Sequence, residues 1–352
     1  MKKLDRYIGV TVLIAMLSVM LIVVFLDTLF AFMAQLEAVR NDYQLPQVVQ
    51  YIILTTPKRI YEIIPVASLI GCLLGLGSLA NHSELVIIRA AGISLRRISW
   101  YVIKPAIVLM VLGLLIGEFV APVAGQTADS MKKMARSAYA SSVDEGLWYR
   151  EGDSYMYLDV FNSDGILNGL SIYTFDDRKY LKQTVYAKRA VTKGEYWLME
   201  DVEISNYSDD TVESLHKDRQ VWQTGLTTEL LQVMSANPED LSMRGLVTYV
   251  DYLDNEGFES GEYRLVLYKK LLQPLAIFAL VLIGISFVFG PLRSVSMGLR
   301  LFSGVATGVI FMIIKNLMGP ASLVFGFPPL LAVMMPILLC LGIGVGLLKR
   351  AG

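Results

Sequence analysis

The sequence predicts a helical membrane protein, a bundle of six spans with an antiparallel β domain inserted between the third and fourth. Three observations predict it. First, 54% of the 352 residues are hydrophobic and only 18% are charged, with a mean hydropathy of +0.52, whereas a soluble domain carries about 25% charge. Second, the charges are segregated. Residues 125–264 hold 25 of the 32 acids and 14 of the 31 bases, leaving 7 acids and 17 bases for the other 212 residues. Third, inside that charged stretch the hydrophobic period becomes an alternation. This composition excludes a soluble enzyme, a disordered chain and a strongly basic nucleic-acid binder.

A bilayer core of about 30 Å needs roughly 20 apolar residues as helix. Residues 7–26 carry no charge and form the first span. The second covers 63–80 and begins as early as Ile52, and the third runs from Ile98 through Lys104 to Val120. The fourth lies between Lys270 and Arg293, and the fifth covers 301–318. No charge occurs from Asn316 to Leu348, but Gly319-Pro320 and Gly326-Phe327-Pro328-Pro329 break that run, so the sixth span covers 330–348.

Orientation follows from lysines and arginines beside short loops. One side collects Lys2, Lys3 and Arg6, then Arg89, Arg96 and Arg97, then Arg293 and Arg300, then Lys349 and Arg350. The opposing short loops offer mainly Arg40, Lys58 and Arg59. Both termini are therefore placed in the cytoplasm and residues 125–264 on the far side. The first apolar run is of full membrane length and lacks a clean small-x-small cleavage site, so it reads as an uncleaved anchor.

Within the insert, 125–143 is helix-compatible and extends the third span. Alternation then appears over 154–160, 170–175 and 183–190, with turn signals at Asn162-Ser163-Asp164-Gly165, Asp176-Asp177 and Lys193-Gly194. Such spacing fits an antiparallel sandwich, barrel or jelly roll. Residues 237–264 read as helix again, interrupted at Gly257. Cys72 and Cys340 both lie in apolar stretches, so no disulfide framework is available. His82 and His216 have no partner at ligand spacing, and neither a metal nor a cofactor is expected.

The candidate chemistry is sparse. The chain contains no Gly-x4-Gly-Lys-Ser/Thr segment, hence no P-loop for ATP, and is not read as an enzyme. Gly71 and Gly75 form a small-xxx-small pair that permits close helix packing. Between the second and third spans, Ser83 in a capping position, Glu84 in the first turn and Gly92 at the end define a short amphipathic helix over 82–92. It reads either as an interfacial helix or as a coupling helix that docks into a soluble motor, with Glu84 pairing a basic residue there. Ionisable groups inside spans are functional candidates by default. Here these are Asp27, Glu62, Glu118 and Lys315. Lys58 and Glu62, four apart, form a local pair, Glu118 and Lys315 sit where they can reach the interface, and Asp27 lies nearest mid-helix.

Six segments carry a resemblance. They are Leu4-Asp5-Arg6-Tyr7-Ile8-Gly9, Leu74-Gly75-Leu76-Gly77-Ser78-Leu79-Ala80, Ser83-Glu84-Leu85-Val86 with Gly92, Gly117-Glu118-Phe119-Val120-Ala121-Pro122, Phe289-Gly290-Pro291-Leu292-Arg293-Ser294 and Gly319-Pro320. In this order and topology the chain resembles the lipopolysaccharide-export permeases of the LptF/LptG family, closer to the LptG branch.

The resemblance implies a permease subunit of an ABC transporter that extracts lipopolysaccharide from the inner membrane and passes it to a periplasmic bridge. ATP hydrolysis would occur in a partner. The implied partners are an LptF-like paralogous permease, an LptB-like ATPase dimer and LptC- and LptA-like bridge proteins. The implied division is spans one to three with the coupling helix over 1–124, a periplasmic β-jellyroll-like domain with helical flanks over 125–264, and spans four to six over 265–352. The first and fifth spans would wall the cavity.

Residue roles follow from the same resemblance. Glu84 would meet an arginine of the ATPase, with Leu85, Val86 and Ile88 filling its groove and Gly92 ending the helix. Lys132, Lys133, Arg136 and Lys315 would meet lipid A phosphates, since several cations suit a multiply charged head. The plainer readings are a solvated face for the lysine pair and snorkelling for Lys315. Where family members carry a lysine in the outer first span, this sequence has Phe30-Ala31-Phe32, so Phe30 and Phe32 are expected to face acyl chains. Two other classes stay open. One is a receptor or scaffold whose β domain binds a ligand, and the other is a proton-coupled transporter that depends on Asp27.

Overall fold

Backbone in a bilayer must satisfy its own polar groups, and the long apolar runs do so as helices. The computed structural model describes every residue except 1, 38, 40–42, 138–146, 163–165, 177, 194–195, 209–210, 291–294 and 352. The chain forms two compact units, Met1–Ala138 with Gly261–Gly352, and Tyr139–Ser260.

The first unit opens with α1 (Lys2–Leu36), α2 (Leu45–Asn81) and the short α3 (Glu84–Ala90). Next, α4 (Leu95–Leu115) continues through a π-helical turn (Ile116–Val120) into α5 (Ala121–Ser137). The helices α6 (Thr228–Ser235) and α7 (Met243–Asn255) belong to the inserted unit. The first unit then resumes with α8 (Gly261–Leu271), α9 (Gln273–Phe289), α10 (Met297–Phe325) and α11 (Pro329–Ala351). Among the described residues, five helices are long and apolar enough to cross a membrane, or six if α8 and α9, bent by 51° at their break, make one span.

One expected break is absent. Gly319-Pro320 does not end the fifth span, because α10 runs through Pro320 to Phe325. A helix in lipid tolerates proline where its surroundings re-satisfy the freed carbonyl, and beyond Pro320 the Ser322 hydroxyl donates to the Gly319 carbonyl at 2.8 Å. The helix stops at Gly326, whose left-handed φ of 70° caps it, and Pro328-Pro329 follows.

Packing centres on α2. On α1, Ile8, Val12 and Met16 are fully buried at a spacing of four, a narrow stripe aimed at α2. Opposite lie Gly71 and Gly75. A Cβ on Gly71 would lie inside contact distance of the Met16 backbone, and one on Gly75 would lie 2.9 Å from Val12 Cα. The glycine pair therefore brings two backbones together. Leu21, Ile22, Phe25 and Phe30 of α1 are exposed.

A second node lies beside the π-helical turn. Lys270 is buried and donates to the Gly117 carbonyl at 3.3 Å, within the short stretch where π geometry interrupts the α-helical bonding ladder. The Tyr61 ring fills the space a Gly117 side chain would need, and Gln273 Nε2 donates to the Tyr61 carbonyl at 2.7 Å. These bonds join α2, the π turn and the α8–α9 break.

The inserted unit holds β1 (Leu147–Glu151), β2 (Ser154–Asn162), β3 (Ile166–Phe175), β4 (Leu181–Thr192), β5 (Trp197–Ser208) and β6 (Thr211–Trp222). They form one sheet in sequential order, every pair antiparallel. It is a meander, each described strand pairing with its chain neighbours. One face buries Met156, Leu158, Leu170, Ile172, Val185, Ala187, Val202 and Ile204, as strand alternation requires. The segment after β6 is tied back to the sheet. Trp197 Nε1 donates to the Leu226 carbonyl at 2.8 Å, and Tyr252 of α7 stacks on Tyr149 with centroids 5.2 Å apart. Burial raises the hydroxyl pKa of both tyrosines.

Replacing Gly71 by alanine should therefore force α1 off α2, at a cost of about 1–3 kcal/mol. Thermal unfolding of the purified chain should show a lower Tm for Gly71→Ala. Gly346→Ala should leave Tm unchanged, since nothing lies within 4 Å of its added methyl.

Candidate functional site

The first candidate is built from the end of α2. That helix terminates at His82, and Ser83 turns the chain with a left-handed φ of 59°. Ser83 occupies the N-cap position, but its side chain makes no cap hydrogen bond, contrary to the capping role expected of it. The seven residues of α3 then end in a Schellman closure. Gly92 N–H donates to Arg89 O at 3.0 Å and Ile93 N–H donates to Ile88 O at 3.4 Å, with Gly92 at φ 83°. A Cβ at Gly92 would meet nothing within 4 Å, so the glycine serves conformation, not packing.

This closure fixes which side of α3 faces where. Leu85 and Ile88 are 4% and 8% exposed and belong to the chain's own core, while Val86 and Ile87 are 56% and 65% exposed. Of the three apolar residues expected to face a partner, Val86 is exposed, while Leu85 and Ile88 are buried within the chain. Ile87, which was not singled out, joins it. A cleft of about 290 Å3 lies beside them, bounded by Ala80, Leu85, Val86, Arg89, Val288 and Phe289. Phe289-Gly290 is described, but the following Pro291-Leu292-Arg293-Ser294 lies outside the described residues.

Tyr7 ties this helix to α1, and Arg300 ties the end of α2 before it to α10. Tyr7 of α1 donates its hydroxyl to Glu84 Oε1 at 3.2 Å. Arg300, at the start of α10 and 2% exposed, donates to the Gly77 carbonyl at 3.1 Å and to Asn81 Oδ1 at 3.0 Å. It thereby holds α10 to the last turn of α2, immediately before α3. Asp5 and Lys104 pair nearby, between α1 and α4.

The other expected site residues do not form one cluster. Lys132 lies 4.7 Å from the Tyr51 ring and 6.0 Å from that of Tyr43, a cation–π cage within the first unit. The backbone of Lys133 and Arg136 belongs to α5, but their side chains lie outside the described residues. Lys315 is half-buried on α10. Phe30 is 66% exposed, whereas Phe32 packs against the cluster of Tyr43, Val48 and Ile52, so the two rings face different surroundings. Asp27 accepts from Arg59 at 2.6 Å, which gives the mid-helix acid a partner across the α1–α2 contact.

Comparison with known proteins decides the family. Residues 6–350 match the family described as lipopolysaccharide export system permease LptF/LptG. The chain belongs to the LptF/LptG family. It is 35% identical over 340 residues to the lipopolysaccharide export system permease protein LptG of Escherichia coli strain K12, covering 95% of this chain and 94% of that protein. The LptG of Haemophilus influenzae is 32% identical over 340 residues, 96% of this chain and 95% of the relative.

For this LptF/LptG family member, sequence reading missed Tyr7, Lys270 and Arg300. The last two flank apolar runs and read as interface charges, yet both are buried. Their residue type was the available signal, since a long cation can turn inward only where carbonyls receive it. Arg300→Leu removes two charge-assisted bonds, worth about 1.5–3 kcal/mol each. It is expected to lower the Tm of the purified permease-family chain, and hydrogen exchange should show faster opening of the last turn of α2.

Proposed function

We propose that this chain is the permease subunit of an ABC transporter that extracts lipopolysaccharide from the inner membrane and passes it to a periplasmic bridge. The observation that carries the reading is the family match from residue 6 to residue 350, with relatives named as lipopolysaccharide export system permeases. ATP hydrolysis belongs to a separate LptB-like dimer, and an LptF-like paralogue completes the permease pair. LptC- and LptA-like proteins receive the substrate.

In this reading α8 and α9 make one bent span and the count is six. Both termini and α3 are cytoplasmic. The three-part division of 1–124, 125–264 and 265–352 is a division by side of the membrane, and the six-stranded sheet is the family's jellyroll-like periplasmic module. Phe30, Lys132, Lys133, Arg136 and Lys315 are assigned to the lipopolysaccharide path, the cations to phosphates and Phe30 to acyl chains. Phe32 supports that wall from its own core.

The motor docks on α3. Glu84 supplies the carboxylate for an ATPase arginine, and Val86 and Ile87 supply the apolar contact that Leu85 and Ile88, buried within the chain, do not. Because Tyr7 binds Glu84 and Arg300 binds the end of α2, a displacement of α3 reaches α1 and α10 directly. Those are the two helices assigned to the cavity wall. The proton-coupled reading loses its main support, since the Arg59 pair gives Asp27 a structural role.

The test is co-purification from native membranes. Val86→Asp with Ile87→Asp should insert normally but lose the ATPase, since an unpaired charge at an interface centre costs about 2 kcal/mol or more. Leu85→Asp should instead destabilise the chain itself. Full ATPase retention and normal export in the double variant would overturn the docking assignment.

A further inference from the structure

The inserted sheet carries a cleft on the face opposite its buried side. It encloses about 520 Å3, within the range of small-molecule sites. Its walls are aromatic. Trp148 of β1, 60% exposed, leans on Tyr157 and Tyr173 with centroids 5.1 and 6.1 Å away. Tyr155 meets Phe175 edge-on at 5.6 Å. Strand register creates this set, because Trp148 pairs with Tyr157 and Tyr155 pairs with Tyr173 across neighbouring strands.

The polar groups are placed at the edges. Arg150 lies with its guanidinium carbon 5.4 Å from the Tyr155 ring centroid, and its Nε donates to the Gly152 carbonyl at 3.0 Å. That bond sets the plane of the fork and leaves its terminal nitrogens directed to donate. Asp153 and Lys179 complete the rim. Asp176 also lines the cleft, but its carboxylate is taken by the backbone N–H groups of Arg178 and Tyr180 at 2.9 and 2.8 Å, so it builds the turn.

This combination selects a class of ligand. Among the described residues that line the cleft there is no Leu, Ile, Val or Met, whereas the opposite face buries Met156, Leu158, Leu170 and Ile172. The exposed face of an aromatic ring such as Trp148 suits the C–H face of a sugar ring, while the sugar's hydroxyl edges match guanidinium and carboxylate groups. We propose that this cleft is a saccharide-binding site that takes part of the glycan of lipopolysaccharide. The identity of the glycan rests on the export reading above. The cleft then holds the sugar portion while the acyl chains lie elsewhere.

The experiment uses the full chain in phospholipid nanodiscs and a deacylated core oligosaccharide of lipopolysaccharide, followed by calorimetry and saturation-transfer NMR. Saturable binding is expected. Trp148→Ala should weaken it about ten-fold or more, and Trp148→Phe should restore much of the loss because a ring remains. Arg150→Gln, a change at an exposed edge, should also weaken binding and guards against a Trp148 variant that misfolds. The proposal is overturned if the wild-type chain shows no saturable sugar binding, or if Arg150→Gln and a folded Trp148→Ala bind equally well. It is also overturned if lipid A lacking core sugars, or a peptide from a partner protein, competes for the cleft and the oligosaccharide does not. Lipopolysaccharide co-purifying with a chain that ignores the oligosaccharide would sink this inference alone, whereas its complete failure to associate would sink the export reading.

Discussion

The backbone contact between α1 and α2 is the constraint on which the helical unit depends. Glycine at 71 and 75 lets Val12 and Met16 sit against the α2 backbone, and van der Waals contact is the main attraction available where lipid is as apolar as the side chains. From that contact α2 runs outward to the Asp27–Arg59 pair and inward to Gly77 and Asn81, where Arg300 anchors α10. The same helix then delivers the chain to α3. One element thus positions α1, α10 and α3.

The polar groups inside the bundle are spent on helix junctions. Lys270 at the π turn, Gln273 at the α8–α9 break and Arg300 at the end of α2 each donate to a backbone carbonyl. Each lies where regular helix is interrupted or ends. Charged side chains buried there satisfy carbonyls and tie separate helices at one point, whereas the apolar stripes allow rotation and sliding.

The long apolar helices and the short helix α3 were legible because length, charge absence and helix stops such as Gly92 are local signals. Residues of the β domain were legible over 154–160, 170–175 and 183–190, which fall within β2, β3 and β4. Several features were not legible. Gly319-Pro320 reads as a break, but α10 continues through it to Phe325. A seven-residue helix has too few turns for periodicity to separate Leu85 and Ile88 from Val86 and Ile87. The partner of Asp27 lies 32 residues away, and the aromatic cleft arises only from register between strands. The burial of Leu85 and Ile88 and the exposure of Val86 and Ile87 came only with the structure.

The central claim is that the exposed side of α3 is the motor-docking surface. A photoreactive amino acid placed at Ile87 in cells tests it most directly, with Ile88 as the buried comparison. The account predicts a strong adduct between position 87 and a soluble cytoplasmic ATPase, and little from position 88. Adducts from position 87 to lipid alone, with no ATPase captured, would contradict it.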